Sequence, residues 1–174
     1  MLTNTASIYD HLGLLSPDII AFKTFIQKLW QDKLKSDALL PAHLQQEWNQ
    51  LLQTIHKLSQ IKLIQKDNSS NAVNIQIYGF CEISEWAYGA CLYRLSTDSN
   101  KKISCELQFS TSKVAPQKQL TTPRLEICAA TLLFKLHKKA IGVLNTTLNE
   151  SYLWWDYSIA LTWIQDSQKN GRYL

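Results

Sequence analysis

No apolar run in this chain approaches the ~20 residues that a helix needs to cross a bilayer. The start, Met1-Leu2-Thr3-Asn4-Thr5, lacks the basic and apolar parts of a signal peptide. Neither secretion nor membrane insertion is expected. Only five glycines occur, and they form no Gly-rich phosphate loop. The four cysteines, Cys81, Cys91, Cys105 and Cys128, include no C-x-x-C pair, which argues against zinc. They read as free thiols in a reducing compartment, with Cys91 and Cys105 buried in strands and Cys128 in a helix. His11, His43, His56 and His137 stand in no Ser- or Cys-based signature, so nucleophilic catalysis is not indicated.

What is present is a chain of 174 residues with 45% hydrophobic content. That suits one domain, or a small domain with an appendage, and is not a disordered composition. The net charge of +4 is mild but unevenly placed. Between Lys113 and Lys139, six bases (Lys113, Lys118, Arg124, Lys135, Lys138 and Lys139) face one acid, Glu126, a local +5. Such a stretch attracts a polyanion, or is simply the solvated lysine face of a helix.

Ser16-Pro17-Asp18 reads as a helix start with Ser16 as its cap. Ile19, Phe22, Ile26, Leu29, Trp30 and Leu34 then recur at helical spacing. After Pro41, Leu44, Trp48, Leu51, Leu52, Ile55 and Leu58 form a second stripe. Residues ~16–59 are therefore expected as an α-helical hairpin, within a helical segment over 1–66. The polar run Asp67-Asn68-Ser69-Ser70-Asn71 marks a boundary, with an α/β domain over 72–174. Strands are expected over Val73–Glu82, Gly89–Leu95, Ile103–Phe109 and Tyr152–Trp155. A helix opens at Pro123, packs through Leu125, Ala129, Leu132, Leu133, Leu136 and Ala140, and stops at Gly142. A short helix with Ile159, Leu161, Trp163 and Ile164 ends the order β-β-β-α-β-α.

Three acids sit where segments change state. Glu82 ends the first strand, Glu126 lies in the first turn of the helix, and Asp156 ends the fourth strand. Mg²⁺ prefers oxygen ligands. Two such ions ~3.5–4 Å apart activate water and stabilise the leaving oxygen of a phosphodiester. If the first and fourth strands pair in parallel, Glu82 and Asp156 come side by side, and the helix can aim Glu126 at both. The alternative is a surface acid at each place, with Glu126 complementing the helix dipole.

The words around these acids carry a family resemblance. The run from Ser7 to Pro17, Ser-Ile-Tyr-Asp-His-Leu-Gly-Leu-Leu-Ser-Pro, resembles the S-x-Y-D-P-L-G-L-x-S-P segment that follows the reverse transcriptase in BEL/Pao-type retrotransposon polyproteins. Gly79-Phe80-Cys81-Glu82-Ile83-Ser84 resembles the family's G-F-C-D-A-S. Lys113-Val114-Ala115-Pro116 and Pro123-Arg124-Leu125-Glu126 follow its K-x-x-x-A-P and P-R-L-E in order, the first in shortened form. The run from Trp154 to Ile164 resembles W-T-D-S-x-x-x-L-x-W-I.

The resemblance implies a ribonuclease H-like α/β fold, preceded by the helical connection from the reverse transcriptase of the same polyprotein. It implies hydrolysis of the RNA strand of an RNA–DNA hybrid with two Mg²⁺ or Mn²⁺ ions, inside a cytoplasmic virus-like particle. Glu82, Glu126 and Asp156 would be catalytic metal ligands, and Ser84, Lys113 and Arg124 would contact nucleic acid. Three departures stand against activity. Glu82 replaces the usual Asp, a shift of about 1 Å, the scale that costs ~100-fold in rate. Ile83, Trp155 and Tyr157 are bulky where the family has small residues. The sequence stops at Leu174, short of a fifth strand, a last helix and a fourth carboxylate, and lacks the polymerase body, protease and integrase. The expectation is a truncated fold of marginal stability, its fourth strand an open edge, inactive as an isolated chain. The alternative is a non-catalytic nucleic-acid-binding or structural module.

Overall fold

A computed structural model describes residues 10–34, 39–58, 72–118, 120–144 and 150–156. The elements are α1 (Ser16–Gln31), α2 (Ala42–Leu58), β1 (Ala72–Ile83), β2 (Ala87–Asp98), β3 (Ile103–Val114), α3 (Thr122–Leu144) and β4 (Glu150–Trp154). The sheet order is β3-β2-β1-β4. β1, β2 and β3 form an antiparallel meander, and β4 lies parallel to β1. A parallel neighbour needs a crossover, and α3 is that crossover. The parallel pairing expected of the first and fourth strands is present. The expected polar boundary at 67–71 and the helix around Ile159–Ile164 lie outside the described residues.

The main core lies between α3 and one face of the sheet. Ile77 and Cys81 of β1, Ala90 and Leu92 of β2, and Ala129, Leu132 and Leu133 of α3 form it. The alternation of β1 is regular here: Ile75, Ile77, Gly79 and Cys81 are buried, Gln76 and Tyr78 between them are half-buried, and Phe80 and Glu82 are exposed. Gly79 is needed for close packing, since a Cβ there would stand 2.6 Å from Leu153 Cδ2 and 2.9 Å from Leu133 Cδ1. The stripe expected on this helix is the buried one, but Gly142 does not stop it. The helix runs to Leu144, because a single glycine costs a helix only ~1 kcal/mol.

A second core joins α1 to α2. Phe22 and Phe25 flank Trp48, with ring centroids 6.2 and 5.6 Å away. Phe25 is fully buried, whereas Trp30, expected in the stripe, is 65% exposed. Ser16 is the first helical residue and not the cap: Leu15 holds that place, and Asp10 Oδ2 accepts the Leu15 N–H at 2.8 Å. Ser16 is freed for a contact with the sheet, where its carbonyl accepts from Ser112 Oγ at 3.0 Å.

That contact belongs to a seam fixing the helical segment to β3. Ser110 N–H donates to Leu12 O at 2.9 Å, Ser110 Oγ donates to Gly13 O, and Gln27 Nε2 donates to Ala115 O at 2.9 Å. Gly13 takes φ +74°, and any Cβ there would collide with the Ser110 carbonyl. The loop thus borrows the open edge of β3, which protects that edge from other pairing. β4 is the other edge of the described sheet.

Candidate functional site

Glu82 follows Cys81 by one residue, so its side chain leaves the sheet on the opposite face from α3. It is exposed, and its Oε1 accepts the Ile83 N–H at 3.1 Å. The β1–β4 register pairs Tyr78 with Tyr152 and Phe80 with Trp154. Two residues further on, Asp156 comes level with Glu82 just beyond the end of β4. Both acids line one cavity of about 670 Å³, together with Phe80, Tyr93, Trp154 and Trp155. The start of α1, through Ser16 and Pro17, forms its far wall.

Glu126 is placed differently. It lies just past the first turn of α3, which opens at Thr122 and so holds no acid in that turn, contrary to expectation; it is only 4% exposed, between buried Leu125 and Ala129. Its Oε2 is buried with no hydrogen-bond partner among the described residues. Burial pushes its carboxyl above the ordinary carboxylate value. Glu126 does not line the cavity that holds Glu82 and Asp156. The helix does pack on the sheet, but it packs on the Cys81 face and keeps the carboxylate there. Among the described residues, no three His, Cys, Asp or Glu side chains are grouped to hold a metal ion. Two hard oxygen donors sit at an open cavity and the third is enclosed without a counter-charge. As placed, the three acids do not fit a two-ion centre.

The expected nucleic-acid contacts divide in the same way. The Ser84 hydroxyl is used by its own turn: it donates to Ala87 O at 3.1 Å and accepts from Trp86 N–H and Ala87 N–H at 3.3 and 3.1 Å. That fills its capacity of one donor and two acceptor sites. Lys113, near the end of β3, and Arg124, in the first turn of α3, are exposed to solvent.

Sequence reading missed the aromatic wall. Tyr78 stacks on Tyr152 at 5.2 Å, and Phe80 meets Tyr93 edge-on at 6.2 Å. Gln76 Nε2 and the Tyr152 hydroxyl both donate to Glu150 Oε2, at 2.9 and 2.6 Å. That hydrogen bond, before any burial, holds the Tyr152 hydroxyl above its ordinary pKa. The signal was available: Tyr78 and Phe80 alternate with buried residues, so two aromatics had to emerge on the far face of β1. The thiols are unbridged, as expected, but Cys105 is exposed, not buried.

No curated protein matches the chain. The family model that does match describes a Pao retrotransposon-like RNaseH-like domain, and it spans residues 1–157. The match therefore includes the helical segment and its seam to β3 as well as the sheet, α3 and the stretch that carries all three acids. By that match the chain belongs to the Pao retrotransposon-like RNaseH-like domain family.

Proposed function

We propose that this chain is a nucleic-acid-binding module of a Pao-type retrotransposon polyprotein that engages RNA–DNA hybrid without cutting it. The hydrolysis implied by the family needs carboxylates converging on two ions. The observation that carries the reading is the separation of Glu126 from Glu82 and Asp156 by the sheet itself. Glu82 emerges on one face, and Glu126 is buried on the helix that packs on the other. The aromatic side chains Trp154 and Trp155 beside Asp156 line the same cavity.

Binding is supported by the family and by charge. Lys113, Lys118, Arg124, Lys135, Lys138 and Lys139 are all exposed, and the one acid among them, Glu126, is buried. Such a surface attracts a polyphosphate backbone and weakens steeply as salt rises.

The test uses the full chain and a labelled RNA–DNA hybrid. Anisotropy across a salt series should give binding that falls linearly in log–log form. Incubation with Mg²⁺ should leave the RNA strand intact. Mg²⁺-dependent cleavage that Glu126→Gln and Asp156→Asn both abolish would overturn the reading. Absence of binding at low salt would overturn it from the other side.

A further inference from the structure

Across the Ser16–Ser112 seam from the aromatic cavity lies a second one, of about 510 Å³. The loop at Asp10 to Gly13, the start of α1, the edge of β3 and the second half of α3 enclose it. Its charge is opposite to that of the first. Lys23 from α1, Lys135 and Lys139 from α3, and His11 from the loop line it. The single carboxylate there, Asp10, accepts the Leu15 N–H. Among the described residues, none of the three lysines forms an ion pair.

A row of lysines on one helix is ordinarily a solvated face. Two features separate this group from that case. The lysines come from two helices far apart in sequence and meet only because the seam holds α1 against β3. Lys135 and Lys139 stand one turn apart on α3, where like charges repel, and no acid on that helix is placed between them. Lysine acts as a flexible point charge, and phosphate is the oxyanion it commonly holds.

We propose that this cavity is a phosphate site, filled by one backbone phosphodiester of a bound nucleic acid held between Lys23, Lys135 and Lys139. It rests on the reading that the chain binds nucleic acid. It adds where the backbone is held: at the seam between the helical segment and the sheet, away from the acids. The docked α1 then has a role in binding, because without it Lys23 leaves the cavity.

The experiment compares two triple variants of the full chain, each checked for a wild-type melt. One is Lys23→Gln, Lys135→Gln and Lys139→Gln. The other, Lys57→Gln, Lys101→Gln and Lys102→Gln, removes the same charge elsewhere. On labelled RNA–DNA hybrid, the cavity variant should bind about tenfold or more weakly, with a log–log salt slope shallower by about 1 for the phosphate released. The control should keep the wild-type slope. Equal losses in both variants would overturn the site. Inorganic phosphate, set against chloride at equal ionic strength, is the second probe. It should raise the Tm of the wild type and the control but not of the cavity variant. If the wild type fails to bind hybrid, the proposed function falls. A phosphate effect confined to chains with an intact cavity would then support the site with free phosphate as its source. No difference on either probe overturns it.

Discussion

Glu82 and Glu126 are divided by the sheet: Glu82 emerges on the face opposite the one against which the helix of Glu126 packs. A single-residue step along β1 decides this. Cys81 turns toward α3, so Glu82 turns away. Asp156 stays with Glu82, because the parallel register carries both to the same cavity.

Glu126 is the first place where this costs stability. Its buried carboxyl titrates above its unfolded value, so folding favours the protonated form. Stability from this group is full below the ordinary carboxylate value and is lost as pH rises through the folded one. Glu126→Gln should therefore raise stability at neutral pH, by no more than about 1 kcal/mol, because the amide removes the charge but is itself left without a partner. Urea melts should show the gain shrinking as pH falls, and vanishing in acid. A variant less stable than wild type at pH 7 would contradict this.

Gly79→Ala should destabilise by ~1–3 kcal/mol through overpacking. The added methyl would meet Leu153, Leu92 and Leu133 at 2.6, 2.8 and 2.9 Å, and Leu92 and Leu133 are fully buried. Thermal melts check it, with Gly142→Ala as the comparison, since nothing lies within 4 Å of that position. The second change should be neutral or stabilising, because it removes a glycine from a helix.

Gly13→Ala acts elsewhere. Its φ of +74° and the Ser110 carbonyl leave no room for a side chain. Limited proteolysis should show the loop and α1 becoming cleavable before the sheet does. Uniform cleavage throughout would mean that the seam does not hold the two parts together.

Thiol chemistry should follow burial. Burial, then the neighbouring Glu82 and Cys91, push the Cys81 thiol up to about 11. Cys105 is exposed. Near pH 8 an aromatic disulfide reagent should modify Cys105 first and leave Cys81 unreacted until the protein unfolds. Early modification of Cys81 would count against the packed β1–α3 interface.

Much of this fold is legible in the residues. The 3.6-residue stripe of Leu125, Ala129, Leu132 and Leu133 and the alternation through Ile75 and Ile77 place the core. The family words place the acids at the ends of their elements. The far ends of β2 and β3 were not legible. Ser110-Thr111-Ser112-Lys113 is polar and lies beyond the expected strand, but it stays in the sheet, paired with Tyr88 to Cys91 of β2 on one side and bonded to Leu12, Gly13 and Ser16 on the other. Trp30 and Phe25 exchanged places for a similar reason, since the position of α2 decides which side of α1 is covered. The acids show the same limit. Local pattern gives the level of Glu82, Glu126 and Asp156 along their elements. The side of the sheet on which α3 packs is a tertiary fact, and it sets whether the three can meet.

The most direct measurement of that separation is Mn²⁺ affinity by isothermal titration, on the wild type, Asp156→Asn and Glu126→Gln. With Glu82 and Asp156 at one cavity and Glu126 enclosed elsewhere, Asp156→Asn should weaken any Mn²⁺ binding, and Glu126→Gln should leave it unchanged. A tenfold or greater loss in Glu126→Gln, matching that of Asp156→Asn, would place all three carboxylates on one site and contradict the account.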